Sequence, residues 1–138
     1  ENCPTLTYNT IARHQSKIVR TRIASNKSPW LTDTEVGDIY SVPVSHGEGR
    51  FIASDELIHR LAENGQIATQ YVDEKGKATS DIHFNPNGSF YAIEGITSPD
   101  GRVFGKMGHS ERYAADLYKN VPGNYDIKMF RSAVKYFK

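Results

Sequence analysis

The chain has 138 residues, the size of one ordinary domain and long enough to bury a core without disulfides. With 38% hydrophobic and 24% charged residues it has a globular rather than a disordered composition, and no apolar run approaches the ~20 residues that cross a bilayer. Its 17 Lys and Arg against 16 Asp and Glu leave a formal charge of +1, which gives no support to a nucleic-acid or membrane-surface role.

One cysteine, Cys3, excludes an internal disulfide and a multi-cysteine zinc site, and such sparse use fits the cytoplasm. Glu1 is no initiator Met, and no signal region follows it. Asn2-Cys3-Pro4-Thr5 is loop-like, so the reading is of a processed chain or a piece of a longer protein.

Taken in chain order, Lys17 to Ser25 alternates Val19, Thr21 and Ile23 with Arg20 and Arg22, which predicts a strand with one wet face. Asn26 to Asp38 is turn-rich and holds Trp30, the only tryptophan. Ile39 to Val44 reads as a buried strand, with Pro43 pointing to an edge position or a bulge. Phe51-Ile52-Ala53 is a short strand. Ser54 then caps a helix whose apolar face is Leu57, Ile58 and Leu61, and Gly65 stops it. Ile67 to Val72 is the next strand, ended by Asp73-Glu74-Lys75-Gly76.

Asn85-Pro86-Asn87-Gly88-Ser89 is a turn, and Phe90 to Thr97 reads as extended. Ser98-Pro99-Asp100-Gly101 turns the chain back into a strand over Arg102 to Met107. Glu111 to Asn120 reads as helical. Asp126 to Phe137 reads as a last helix that docks through Ile127, Phe130, Val134 and Phe137. Strands and helices interleave around at least one hairpin, which favours a mixed α/β sheet.

Two segments carry candidate chemistry. In Gly108-His109-Ser110-Glu111-Arg112 a strand runs into a His, then a Glu that opens a helix. Histidine is the usual general base near neutral pH, and a carboxylate can fix its tautomer. The same spacing also fits a surface His beside a helix-starting Glu. The second segment, Ser45-His46-Gly47-Glu48-Gly49-Arg50, follows a strand end, where ligands gather in open α/β sheets. It reads equally as a Gly-rich turn with solvated charges, and it lacks the spacing of a P-loop. The two His-x-Glu pairs together raise a metal site, but zinc more often takes His pairs at helical spacing or cysteines, so no metal is assigned. Cys3 lies before Pro4 without a nucleophile elbow around it, and His14, His59 and His83 read as surface or capping residues.

These segments, with Asn85 to Ser89 and Gly95-Ile96-Thr97-Ser98-Pro99-Asp100-Gly101-Arg102, occur in an order that resembles phosphoribosylformylglycinamidine synthases of the large single-chain type. The similar region is the C-terminal part of their class I, triad-type glutamine amidotransferase domain. Asn9 to Arg22 resembles the segment that follows the nucleophile in that family. Where the family usually reads His-Pro-Glu-Arg, this chain has His109-Ser110-Glu111-Arg112.

The resemblance implies an α/β three-layer fold with a mixed, mostly parallel sheet, flavodoxin-like, present only as its C-terminal portion over residues 1–138 without internal boundary. It implies a cysteine thiolate that attacks glutamine, His109 as its acid and base, Glu111 as the orienting group, and ammonia delivered to an ATP- and magnesium-dependent synthase domain of purine biosynthesis. Ser45, His46, Gly47 and Glu48 fall on the substrate side or a domain interface. The Gly-x-Cys-Asn-Gly elbow of the family is absent from the 138 residues. The expectation is therefore an upstream nucleophile and a fragment that is inactive alone, takes no cofactor itself, and pairs with the N-terminal half of the domain and the synthase domain. Exposed sheet edges and apolar faces would favour self-association. The alternative is a non-catalytic binding or structural module of the same fold.

Overall fold

The computed structural model describes residues 3–112, 123–125 and 127–137. Its strands are β1 (Thr5–Thr7), β2 (Gln15–Ile23), β3 (Ile39–His46), β4 (Arg50–Ile52), β5 (Ile67–Tyr71), β6 (Ile93–Thr97) and β7 (Phe104–Lys106). Helix α1 (Asp55–Glu63) and helix α2 (Met129–Phe137) complete the α/β body, with single 3-10 turns at Pro29–Leu31 and Phe90–Ala92. Among the described residues no helix is long and apolar enough to cross a membrane.

Five strands form one sheet in the order β3-β2-β5-β6-β7, and β1 pairs with β4 in a separate ribbon. Val19, Thr21 and Ile23 are buried along β2, as the alternation predicts, while Arg20 and Arg22 stay half-exposed. The sheet is expected to be mostly parallel, yet every described strand pair is antiparallel. The cause is where α1 falls. It joins β4 of the ribbon to β5 of the main sheet, so it is not a crossover between two strands of one sheet, which parallel neighbours require.

The sheet curls. The β5/β6 register shifts on both sides of Thr69, and bulges of this kind bend and twist a strand. The curl carries the segment after β7 across to β3, which is the opposite edge strand. There the His109 N–H donates to the Pro43 carbonyl at 2.8 Å, and Ser41 N–H donates to Asn124 O at 2.7 Å. Pro43 thus occupies the edge position that its missing N–H allows, and the open side of β3 is covered.

Helix α1 starts as expected. Ser54 Oγ accepts from Leu57 N–H at 3.2 Å, Asp55 and Glu56 stand in the first turn, and Ile58 and Leu61 are buried with Phe51, Ile67 and Ile93. Gly65, at φ +69°, ends it in the left-handed conformation that glycine adopts without strain. The Ser98–Gly101 turn closes with Gly101 N–H on Ser98 O at 2.9 Å.

Two expectations change. Phe90 to Ala92 is not extended: Tyr91 and Ala92 have φ of 52° and 58°, and the Tyr91 hydroxyl reaches Asp55 at 3.1 Å. The second change concerns α2. Ile127 is buried and the Phe137 ring meets Trp30 at 6.3 Å between centroids, as expected, but Phe130 and Val134 are largely exposed, at 52% and 61%. The inward face is Met129, Ser132 and Ala133. Lys128, at φ +61°, breaks the helical phase between Ile127 and Phe130, so a stripe counted from Ile127 is not one helix face. Small Ser132 lets α2 lie close to the 3-10 turn, and its hydroxyl accepts from Asp33 N–H at 3.0 Å. The helix expected over Glu111 to Asn120 lies, from 113 onward, outside the described residues.

These packing assignments predict unequal losses. Leu61→Ala should cost about 2–5 kcal/mol and Ser54→Ala about 1 kcal/mol in urea unfolding. Phe130→Ser, on the outward face of α2, should stay within about 0.5 kcal/mol. A loss at Phe130 as large as that at Leu61 would mean that α2 docks by the other face.

Candidate active site

The segment after β7 is held at three successive residues. Met107 N–H donates to Glu94 O at 3.0 Å, continuing the β6/β7 ladder. Gly108 N–H donates to Glu94 Oε1 at 2.7 Å, and His109 N–H then bonds Pro43 O on β3. Position 108 is too tight for a side chain, since a Cβ there would meet Val42 Cγ1 at 2.6 Å and Glu94 Oε1 at 2.7 Å. Arg112 N–H closes a turn on His109 O at 3.0 Å.

Within that turn His109 Nδ1 lies 2.8 Å from Glu111 Oε1. The hydrogen bond from His109 holds the Glu111 carboxyl below the usual glutamate range, helped by its own backbone N–H and opposed by slight burial. Glu111 is therefore ionised at neutral pH and can only accept, so Nδ1 carries the proton and Nε2 of the neutral ring keeps a lone pair. That Nε2 is buried, with no hydrogen-bond partner among the described residues. The ring as a whole is half-buried, and an imidazole with a carboxylate on one nitrogen and a shielded lone pair on the other can take a proton there.

His46 lies against it. The two imidazole rings are stacked, with centroids 5.0 Å apart and planes 9° from parallel. His46 Nε2 is 2.6 Å from Met107 O, and because a carbonyl only accepts, this nitrogen donates. The two candidate segments, 63 positions apart at their histidines (109 − 46), thus meet at one place.

The loop from Ser45 to Arg50 is shaped by Asn9, which is buried. Its amide nitrogen donates to His46 O at 2.6 Å and Arg13 O at 2.9 Å, its side-chain oxygen accepts from Gly49 N–H at 3.1 Å, and its backbone N–H donates to Gly47 O at 3.1 Å. Ser45 Oγ lies 2.9 Å from His14 Nε2, and His14 is exposed, as expected of a surface residue. Glu48 is exposed and joins none of these contacts. His46 and Glu48 therefore do not repeat the His109–Glu111 pair. Among the described residues no group of three or more His, Cys, Asp or Glu is placed to hold a metal ion. Cys3 is a free, exposed thiol.

Sequence reasoning passed over Glu94 and Lys106. Glu94 is buried on β6, receives the Thr69 hydroxyl and the Gly108 N–H, and lies 3.6 Å from Lys106 Nζ. The signal was an acid inside the apolar run Ala92-Ile93-Glu94-Gly95-Ile96. Counting back from the Ser98–Gly101 turn places Lys106 opposite Gly95, beside it.

The Glu111 geometry makes a titration prediction. Its carboxyl should titrate below 4.5 in an NMR pH series and rise toward that value in His109→Ala. Because the folded value is the lowered one, the linked stability is present above the unfolded value and is lost as pH falls through the folded one. An unshifted Glu111 would remove the argument for the Nδ1 tautomer.

A family model described as the CobB/CobQ-like glutamine amidotransferase domain matches residues 1–137. Similar curated proteins include phosphoribosylformylglycinamidine synthase subunits PurQ. That of Aquifex aeolicus is 36% identical over 111 residues, covering 80% of this chain and 48% of its own. That of Chlorobaculum parvum is 45% identical over 99 residues, covering 71% and 38%. That of Methanocaldococcus jannaschii is 34% identical over 134 residues, covering 97% and 56%. The chain therefore spans about half the length of these relatives. Among solved structures, PurLQS from Thermotoga maritima matches with a TM-score of 0.73 at 26% identity, over 99% of this chain and 54% of that one. The fold is that of class I glutamine amidotransferases, as the motif order implies. With nearly its whole length matched, this chain belongs to the CobB/CobQ-like glutamine amidotransferase family.

Proposed function

We propose that this chain is the His- and Glu-bearing part of the glutaminase domain of a phosphoribosylformylglycinamidine synthase, with His109 as acid and base and Glu111 as its orienting group. The observation that carries this reading is the His109 Nδ1–Glu111 Oε1 bond of 2.8 Å beside a buried Nε2 that has no partner among the described residues. The relatives named above support the substrate class, since they are subunits of that synthase.

In this reaction a thiol gives its proton to His109 Nε2 and attacks the glutamine side-chain carbonyl. His109 returns the proton to the departing nitrogen as the C–N bond breaks, leaving a thioester and free ammonia. Water then releases glutamate and restores the thiol. Ammonia passes to a synthase domain that would hold ATP and magnesium and convert formylglycinamide ribonucleotide to the amidine. No residue of this chain is assigned to ATP or magnesium. Ser45, His46, Gly47 and Glu48 form the substrate side or a domain interface, and the stack of His46 on the His109 ring supports the first placement.

The 138 residues hold no Gly-x-Cys-Asn-Gly elbow, so by themselves they hydrolyse no glutamine. On this reading they are the C-terminal portion of a glutaminase domain of the large single-chain type, working in the cytoplasm. The motif order supports that, although the relatives above are separate subunits. An open groove of about 520 Å³ lined by Leu6, Phe51, Ile93, Ile96 and Met107 is apolar surface of the kind another half-domain would cover. The outward Phe130 and Val134 support self-association of the isolated chain. Light scattering at high concentration tests this, and a clean monomer counts against it.

The decisive experiment is His109→Ala in the full-length gene product, assayed with its synthase activity. Glutamine-dependent synthesis should fall by roughly 10²–10⁴-fold, the usual contribution of a general acid–base group. Ammonia-dependent synthesis should persist. Loss of both activities, or of neither, would sink the assigned role.

A further inference from the structure

We infer that Glu94 and Lys106 form a buried ionic clamp that positions His109 by holding the residues on either side of it; this rests on the glutaminase reading above. Glu94 Oε1 accepts the Gly108 N–H at 2.7 Å, and Lys106 Nζ donates to Ser110 Oγ at 2.7 Å. The two charged groups face each other at 3.6 Å, with side chains 0% and 7% exposed. The second carboxylate oxygen is held by the Thr69 hydroxyl, and Thr69 stands at the bulge that curls the sheet. One charge pair therefore ties the strand bend, the residue before His109 and the residue after it into a single unit.

A buried ion pair is a poor way to gain stability. Removing two charges from water costs free energy that their attraction often fails to return, and apolar residues of equal volume commonly serve as well or better. What the pair supplies here is direction, because hydrogen bonds to an ionised partner are short and geometrically demanding. Position 110 carries the far end of this tie, because Ser110 supplies the hydroxyl that Lys106 reaches. Rate depends steeply on such placement, since a displacement of about 1 Å at a catalytic group can cost roughly 100-fold.

Glu94 and Lys106 are thus positioning residues. They touch no reacting atom and act through the backbone and side chain that flank the base.

The test uses the full-length gene product with its synthase activity. The double variant Glu94→Gln, Lys106→Met removes both charges at near-constant volume, so neither is left buried and unpaired. The expected result is a glutamine-dependent kcat lowered by about 10- to 100-fold. The KM for glutamine should stay within about threefold, with ammonia-dependent activity and the unfolding midpoint preserved. Ser110→Ala, a smaller change, should lower the same kcat several-fold, and Ser110→Thr should restore it. If the double variant does not fold, the Ser110 pair decides.

Wild-type kcat in the double variant or in Ser110→Ala overturns the clamp. So does a fall in ammonia-dependent activity and unfolding midpoint that matches the fall in kcat, because that is the mark of a merely structural pair. His109→Ala in the same assay separates the two readings. If it leaves glutamine-dependent activity intact, the glutaminase assignment fails. If it abolishes that activity while the clamp variants retain theirs, only the clamp fails.

Discussion

The backbone hydrogen bond from His109 to Pro43 closes the seam on which the site depends. It joins the chain leaving β7, at one edge of the sheet, to β3 at the other. A flat five-stranded sheet would hold these edges about 19 Å apart, four spacings of ~4.8 Å. The register shifts around Thr69 bend the middle of the sheet, and the bend brings the edges together. Closing a seam protects two strand edges at once, so the device that guards against aggregation also builds the site. Pro43 serves both ends. It has no N–H to leave unsatisfied on the outer side of β3, and its carbonyl is free to receive His109.

The seam explains why polar groups are tolerated in the interior at this point. Glu94, Thr69, Asn9 and Asn85 are all buried, and each is matched to donors or acceptors rather than left alone. Backbone turning sharply through a closed seam leaves N–H and C=O groups that no ladder satisfies, and an unmade buried bond costs about 1–3 kcal/mol. Asn9 answers the loop after β3 with three bonds, to His46 O, Gly47 O and Gly49 N–H, and a fourth to Arg13 O, and Glu94 answers the turn after β7. Asn87 also lies against this region, reaching the Tyr71 hydroxyl at 3.4 Å. Burial, with the Glu94 charge nearby, raises the Tyr71 phenol well above its ordinary range, so it stays protonated and acts only as a neutral member of the packing.

What the sequence disclosed follows from range. The β2 alternation, the Ser54 cap, the Gly65 stop and the Ser98–Gly101 turn depend on residues a few positions apart, and all appear in the structure. The His109–Glu111 pair is equally local, so its contact could be anticipated from spacing. The stack of His46 on His109 could not, because it depends on the curl of a whole sheet, and no pattern in either segment encodes that curl. The α2 face was misread for a smaller reason. A single left-handed residue, Lys128, shifted the phase, and a lysine carries no propensity that would announce it. The antiparallel ladders were hidden in the same way, since element order shows that a helix lies between two strands but not whether those strands share a sheet.

The two stacked histidines cannot share one role. At 5.0 Å between centroids, two imidazolium charges would repel by about 3 kcal/mol at an effective dielectric near 20. Charge on both rings at once is therefore disfavoured by the stacking geometry. The Met107 carbonyl does not demand a charged His46, because a neutral ring with its proton on Nε2 satisfies that bond fully. Glu111, in contrast, sits on Nδ1 of His109, accepts the proton held there and leaves Nε2 of that ring as an acceptor. The asymmetry of partners, a neutral carbonyl for one ring and an ionised carboxylate for the other, gives the two rings opposite faces: Nε2 donates in His46 and is left as an acceptor in His109. It makes His46 a flat wall against the His109 ring, and it leaves His109 as the one of the two with a carboxylate partner on Nδ1 and an open Nε2.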